Sequence, residues 1–510
     1  MILDSKKFKG YIDNFNAKDK EYTKQSIENA ESWSWLEKSI PLFECPDKQL
    51  EETYYFRWWT YRKHLRETPD GFVITEFLPD VDWSGKYNTI NCAVGHHLNE
   101  GRWLFNSEDY LIDYIKFWFD KGDIRSYSTW FAHAVWEFCK VKGDYDLAVK
   151  LLPDFVRNFE RWEESNLNES GLFWSYDDRD AMEYQISGSG LRPTLNSYMY
   201  AETLTISKIA QRAEEYEIEK RFAKKSEQIK KLILEKLWDK EDKFFKVLPL
   251  ESPHSFVQTW DFNEIDQTKN VREQIGYIPW YFNIPNEEHS ISWKQLFDEE
   301  GFYAPFGPTT AEQRHPQFMF SKRDHECLWN GPSWPYATSQ TLTAMANLLN
   351  NYQQDIITDK HYFDYINIYA KSHYRKKEDG TTVSWVDENI DPFTGEWLSR
   401  KILKAWGWRE DKSGVERGKD YNHSTFNDLI INGLVGVRPQ EDGTLKINPL
   451  VPKDEWDYFC LDQLSYGGKK ITIIYDKDGT RYGKGSGLKL YVDNEEVGSS
   501  EELEEISVAF

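Results

Sequence analysis

From about residue 20 to residue 436, apolar side chains return every third or fourth position in segment after segment, and this repetition confines most of the chain to helices. DKQLEETYYFRWWTYRKHL, SEDYLIDYIKFWFDKGD, STWFAHAVWEFCKVKGD, YDLAVKLLPDFVRNFERWEES, NSYMYAETLTISKIAQRAEEY, KRFAKKSEQIKKLILEKLW, SWPYATSQTLTAMANLLNNY and KHYFDYINIYAKSHYR carry the pattern. Such segments number roughly a dozen, and many of the polar breaks between them are short enough to make neighbours antiparallel. No fixed repeat length is visible, which favours a closed ring of unequal hairpins over an open solenoid. After VGVRP the period shortens: TLKINPL, YFCLDQLSY, KKITIIYD, GLKLYVDN and EISVAF alternate between turn residues. The expected division is an N-terminal extension (1–30), a mainly α barrel of helical hairpins (31–436) and a small antiparallel, sandwich-like β module (437–510) packed against it.

Aromatic residues make up 16% of the chain, with 22 Trp, while mean hydropathy is negative. Part of that aromatic surface is therefore expected in a cleft, although pairs at helical spacing such as Trp58 and Trp59 belong in the core. A formal charge of −23 excludes a phosphate-tracking surface and hence a nucleic-acid partner, and it points to a neutral ligand. The five cysteines are scattered, with no CxxC pair, so neither a disulfide framework nor a zinc site is expected. His96 and His97 are adjacent, point in different directions on a helix and lack an evident third ligand, so no metal and no cofactor are expected. SGSG at 187–190 lacks the lysine of a phosphate loop, and neither Ser187 nor Ser189 sits in a nucleophile elbow. No apolar run is long enough for a membrane span, and the opening residues lack a signal peptide. A cytoplasmic location is expected, or a secreted or periplasmic one if a signal has been removed.

Four stretches set carboxylates beside aromatic and chain-breaking residues. They are EFLPDVDW (Glu76, Asp80, Asp82), SYDDRDAMEYQISGSG (Asp177, Asp178, Asp180, Glu183), RDHECLWNGPSW (Asp324, Glu326) and WVDENIDPFTGEW (Asp387, Glu388, Asp391, Glu396). Carboxylates in such surroundings can have their pKa values driven apart, one kept protonated by an apolar wall and one kept ionised. Glycoside hydrolysis needs that split: one acid protonates the leaving oxygen and a second carboxylate activates water or attacks the sugar. Trp and Tyr faces suit the C–H patches of a sugar, while amides, carboxylates and guanidinium groups suit its hydroxyls.

WNGPSWPYATSQTLTAM, DENIDPFTGE and HSTFNDLIINGLVGVRP, in that order, resemble the C-terminal half of six-hairpin glycosidases. That superfamily includes processing α-glucosidase I, trehalase and the mannosylglycerate hydrolases. The resemblance implies an (α/α)6 barrel with its active site at one mouth and inversion at the anomeric carbon. It places the catalytic base on Glu388 and the catalytic acid on Glu183, where the family has Asp, with Asp180 as the alternative. A helical barrel followed by a β module also resembles α-L-rhamnosidases and β-L-arabinofuranosidases, which keeps an L-sugar or furanoside substrate open.

The expectation is therefore an inverting, exo-acting glycosidase with a carbohydrate partner. Trp329, Trp334, Trp385 and Trp83 would wall the sugar, and Asn330, Gln185, Arg192 and Glu326 would bind its hydroxyls. A glycoside phosphorylase and a non-catalytic carbohydrate-binding protein are the alternatives, and no oligomeric state is assigned.

Overall fold

The computed structural model describes residues 2–250, 269–320, 325–377 and 379–509. Six helical hairpins make the ring. The inner members are Val94–Gly101, Phe131–Lys142, Pro193–Arg212, the turn Gln274–Tyr277 running into Ile278–Tyr281, Pro335–Asn351 and the π-helical Leu429–Leu434. Outside them run Lys48–His64, Ser107–Asp120, Leu152–Asn166, Tyr216–Lys236, the 3-10 stretch Glu287–Phe297 and Asp359–Ser372. Consecutive inner members pack on one another. The last and first are tied together where the Glu100 carboxylate accepts the backbone N–H groups of Asn427 (3.0 Å) and Asp428 (2.9 Å).

Patterning separates the two layers. Pro193–Arg212 buries sixteen of its twenty residues, so it reads as inner, whereas Tyr216–Lys236 buries only Phe222, Ser226, Ile229 and Ile233, a single stripe. Lys48–His64 is the exception among the outer helices: Lys9–Lys18 and Ser32–Ser39 pack over it, so nearly all of it is buried. YDLAVKLLPDFVRNFERWEES, continuous in its pattern, breaks into Asp146–Lys150 and Leu152–Asn166, because Pro153 cannot donate into a preceding turn but suits the first turn of a new helix. Among the described residues no helix is long and apolar enough to cross a membrane.

The C-terminal strands Tyr458–Tyr466, Lys469–Asp476, Gly487–Val492 and Glu495–Ser500 form an antiparallel meander, with a second sheet of Val437–Pro439, Leu445–Ile447 and Ile506–Val508. Leu42–Glu44, expected inside the barrel segment, instead adds a fifth strand to the meander beside Tyr458–Tyr466. The opening residues attach to the same place, with the Asp462 carboxylate accepting the backbone N–H groups of Ile2 (2.5 Å) and Leu3 (2.8 Å). They run beside the helical ring and the β module and are not among the residues lining the large cavity at the mouth.

The inner helices all run the same way, and this sets the chemistry of the two mouths. Cys92, Tyr127 and Trp334, each just ahead of an inner helix, line a cavity of about 380 Å³ at one end. Asn99, Lys140 and Asn351, each in a last turn, line a second cavity at the other. Thirteen residues of helix separate Trp334 from Asn347, so the two cavities lie roughly 20 Å apart along the barrel.

Candidate active site

Glu183 reaches the first cavity from a loop between the short strands Trp174–Ser175 and Gly190–Leu191. The loop is shaped by a 3-10 turn, Asp178–Asp180, whose cap Asp177 accepts the Asp178 N–H through its own side chain (3.0 Å). Ala181 and Tyr184 then take φ values of 58° and 65°, reversing the chain on either side of Glu183. The Glu183 carbonyl accepts the Trp329 N–H (3.1 Å), which fastens this loop to the one carrying Glu326. The Glu183 carboxyl is half-buried, and loss of solvent pushes its pKa up to about 8, with Asp178, Asp177 and Glu388 adding repulsion. It is therefore protonated at neutral pH.

Glu388 comes from the loop between Thr382–Ser384 and the helix Leu398–Ala405. Its neighbour Asp387 anchors this loop: Asp387 accepts from Arg400 Nε (2.8 Å), Trp385 Nε1 (3.1 Å), Ser399 Oγ (3.3 Å) and the Glu388 N–H (3.0 Å). Asp391 closes the following turn through the N–H groups of Phe393 and Thr394, and Gly395 supplies the φ of +76°. The Glu388 side chain is 1% exposed, yet Arg417 Nε donates to its Oε1 at 3.0 Å. Burial lifts its pKa to about 7 against the pull of Arg417.

Arg417 is shared. Its Nη1 donates to Glu326 Oε1 at 2.5 Å, and Lys412 Nζ reaches the same oxygen at 2.6 Å, which holds Glu326 down at about 2. Gly418, beside it, has φ +72°, and a Cβ there would stand 2.0 Å from Asp387 Oδ1, so glycine lets the arginine strand pass close to the Glu388 loop. On the far wall Glu76 accepts from Tyr421 Oη, with which it makes a short hydrogen bond, and from Cys92 Sγ (3.2 Å); burial raises its pKa to about 7. Trp83 stands at the rim, 37% exposed, with the Arg417 guanidinium 4.7 Å from its ring.

A family model of mannosylglycerate hydrolase MGH1-like glycoside hydrolase domains matches residues 86–424. The chain belongs to this glycoside hydrolase family. A model of the glycosyl hydrolase family 65 C-terminal domain matches residues 437–498. Among solved structures, a protein named sialidase is 40% identical over 99% of this chain, with a TM-score of 0.89. That match covers 45% of the other protein, so this chain spans less than half its length. An α-L-rhamnosidase from Dictyoglumus thermophilum (12% identity, TM-score 0.52, covering 89% of this chain and 44% of that one) shares the fold. So does a rhamnosidase from Klebsiella oxytoca, with 12% identity, a TM-score of 0.51 and 77% and 65% coverage. The six-hairpin barrel with a β module, expected from sequence, is the fold this chain has.

Of the side chains singled out in the sequence, Glu183, Glu388, Glu326, Glu76, Asp178, Trp334 and Trp83 line the cavity of this family member, and the other described ones do not. Asp180 is fully buried behind Glu183, where Arg192 Nε (2.5 Å) and Ser128 Oγ (2.6 Å) hold it. Arg192 also binds Gln185, so both side chains expected to hold hydroxyls are committed to one internal network. Asn330 donates to the Phe320 and Gln317 carbonyls, fastening its own loop. Trp329 stacks behind Trp334 (centroids 4.4 Å, planes 12° apart) and forms a second layer instead of a wall. Trp385 is pinched between the guanidinium groups of Arg375 and Arg400, on the opposite side of the loop from Glu388, and lines a separate small hollow with Phe15 and Trp59. The physical reason is common to all six: on a reversing loop, adjacent side chains leave in different directions, so nearness in sequence to a carboxylate does not select the cavity side. Asp324 lies outside the described residues.

The residue that sequence reading missed is Arg417. VERGKDY carries no helical or strand period, and only the glycine after Arg417 hinted at a close backbone approach. Tyr421 and Cys92 were missed for the same reason, since each contributes through a carboxylate distant in sequence. Among the described residues no group of three His, Cys, Asp or Glu side chains is placed to hold a metal ion.

Proposed function

We propose that this chain hydrolyses a terminal glycosidic bond with inversion, using Glu183 as the general acid and Glu388 as the general base. One observation carries the reading. Two carboxylates face a single cavity with opposite surroundings, Glu183 among other acids and Glu388 against Arg417. Glu183 protonates the glycosidic oxygen as the bond to the anomeric carbon breaks. Glu388 removes a proton from water, which attacks that carbon from the opposite face, and solvent then returns the proton to Glu183 and takes it from Glu388. Inversion requires the two carboxyl groups to stand about 6.5–9.5 Å apart so that water fits between them. Arg417 offsets part of the burial that favours the protonated form of Glu388 and orients its carboxylate before substrate arrives. A cavity of about 380 Å³ confined to one mouth of the barrel supports action on chain ends.

A second reading concerns the sugar. Arg179 is exposed at the cavity, and Lys412 sits at its edge with a side chain 29% exposed. Together with the name sialidase on a 40% identical relative, these cations favour a substrate bearing a carboxylate over a neutral one. The deciding experiment presents sialyl, rhamnosyl and neutral aryl glycosides to wild type and Glu388→Gln and follows the released sugar by proton NMR. An inverted product made by wild type alone is expected. A retained product rejects Glu388 as base of an inverting pair, and equal turnover by the variant rejects its participation.

A further inference from the structure

The second mouth carries a cavity of its own, about 230 Å³, with a polar lining of amide and charged side chains. Its cations are Arg102, Lys140, Arg438 and Lys446, and its anions are Glu137 and Asp428. This cationic excess stands out in a chain with a formal charge of −23.

Helix geometry explains part of it. Arg102 and Lys140 lie at the C-terminal ends of inner helices, where cations are favoured, and both are paired: Arg102 with Asp428 (2.7 Å) and Glu137 (3.2 Å), Lys140 with Glu137 (3.0 Å). Lys446 pairs outward with Glu505 at 2.5 Å.

Arg438 is different. Its guanidinium donates to two amide oxygens, Asn432 Oδ1 (2.6 Å) and Asn347 Oδ1 (2.7 Å), and among the described residues no carboxylate lies within ion-pair distance. Burial pulls its pKa below the ordinary value, so the charge is held there at a cost that an anion would offset. Nearby, Arg102 Nε and His133 Nδ1 are buried without a hydrogen-bond partner among the described residues. The cavity continues past Gln440 and Lys446 into a shallower groove bounded by Glu441, Thr444 and Ser507, which leaves it a path to solvent.

We propose that this second mouth binds a small oxyanion, with Arg438 as its principal partner and Lys140 and Lys446 at the entrance. A phosphate and the carboxylate of a sugar acid share the needed chemistry, two or more oxygens presented to a guanidinium fork.

The test is calorimetric titration of the full chain with sodium phosphate and, separately, sodium glucuronate, alongside thermal unfolding in each. Wild type, Arg438→Gln, Lys446→Gln and, as a marker of the opposite mouth, Lys412→Gln are compared. Saturable binding of at least one anion is expected, weakened about tenfold or more by Arg438→Gln and less by Lys446→Gln, whereas binding that Lys412→Gln alone removes belongs to the first mouth. Whichever anion binds names the source. No saturable binding of either anion to wild type overturns the proposal, as does binding that survives both substitutions or disappears in Lys412→Gln. Should Arg438→Gln lose its cooperative unfolding transition, Lys446→Gln carries the decision by itself.

Discussion

Both ends of the barrel bury carboxylates, yet Glu137 at one end is pushed down while Glu183, Glu388 and Glu76 at the other are pushed up. At the second mouth Glu137 lies against Lys140, His133 and Arg102 and is held well below the ordinary carboxylate range. Asp428 there accepts from Arg102 and from Trp103 Nε1, each at 2.7 Å. At the first mouth Glu183 and Glu76 have no cation against them and Glu388 shares one arginine with Glu326, and all three are raised. Burial is common to both places, so desolvation alone does not decide the outcome. The ratio of cations to carboxylates does, and where acids are in excess a proton is retained near neutrality, as acid–base chemistry requires.

If the comparison holds, substitution at the two ends should damage different properties. Glu388→Gln should lower kcat/KM by about 10³-fold while leaving the unfolding temperature unchanged or higher, because it removes a buried charge from an acid-rich site. Steady-state kinetics and thermal melts on one preparation check both halves, and a large loss of stability would erase the contrast. Asp428→Asn, at the other end, should cost about 3 kcal/mol in stability, since it removes the shorter of the two ion pairs of buried Arg102 and weakens the acceptor of Trp103 Nε1. Urea unfolding at neutral pH measures it.

The pH profile sharpens the first mouth. Glu183 must be protonated, so activity should fall tenfold per pH unit as pH rises through about 8; Glu388 must be ionised, so it should fall likewise below about 7. A narrow bell in kcat/KM is expected, and a flat profile between pH 6 and pH 9 would count against both roles. Stability carries the same signature with a definite sign. Glu183 is raised in the folded chain, so its contribution is complete below the ordinary carboxylate range and is lost as pH rises toward about 8. The unfolding temperature of Glu183→Gln should therefore gain on wild type across that interval, whereas a gap independent of pH would show that Glu183 titrates normally. The smallest effect belongs to Trp83→Ala: a rise in KM of severalfold, worth about 1 kcal/mol, with kcat nearly unchanged, as expected of a rim residue that only covers a sugar face.

The two regions also differ in how far they could be read in advance. The stretch carrying Glu388 announces itself, because two Trp and four acidic residues around Pro and Gly are unusual in a loop. Yet Trp385 and Trp397 prove to be anchors, Trp385 under two guanidinium groups and Trp397 donating to the Tyr374 carbonyl (3.1 Å). Glu183 was legible through the family likeness despite its departure from Asp. Nothing in the local sequence marks the second mouth as a cavity, since Asn347 comes from one inner helix, Asn432 from another and Arg438 from a strand of the β module, and each looks ordinary in its own context.

What the sequence determined by itself is local and periodic: apolar stripes at helical spacing, their breaks, and the change to alternation after residue 436. These are set by interactions within a few residues and by the need of each element to bury one face. What tertiary structure decided is which side chains meet. Arg417 reaches both Glu326 and Glu388, and Glu76 meets Tyr421, across separations of 91, 29 and 345 residues. Electrostatic coupling depends on distance in space, and ring closure sets that distance; no local pattern encodes it.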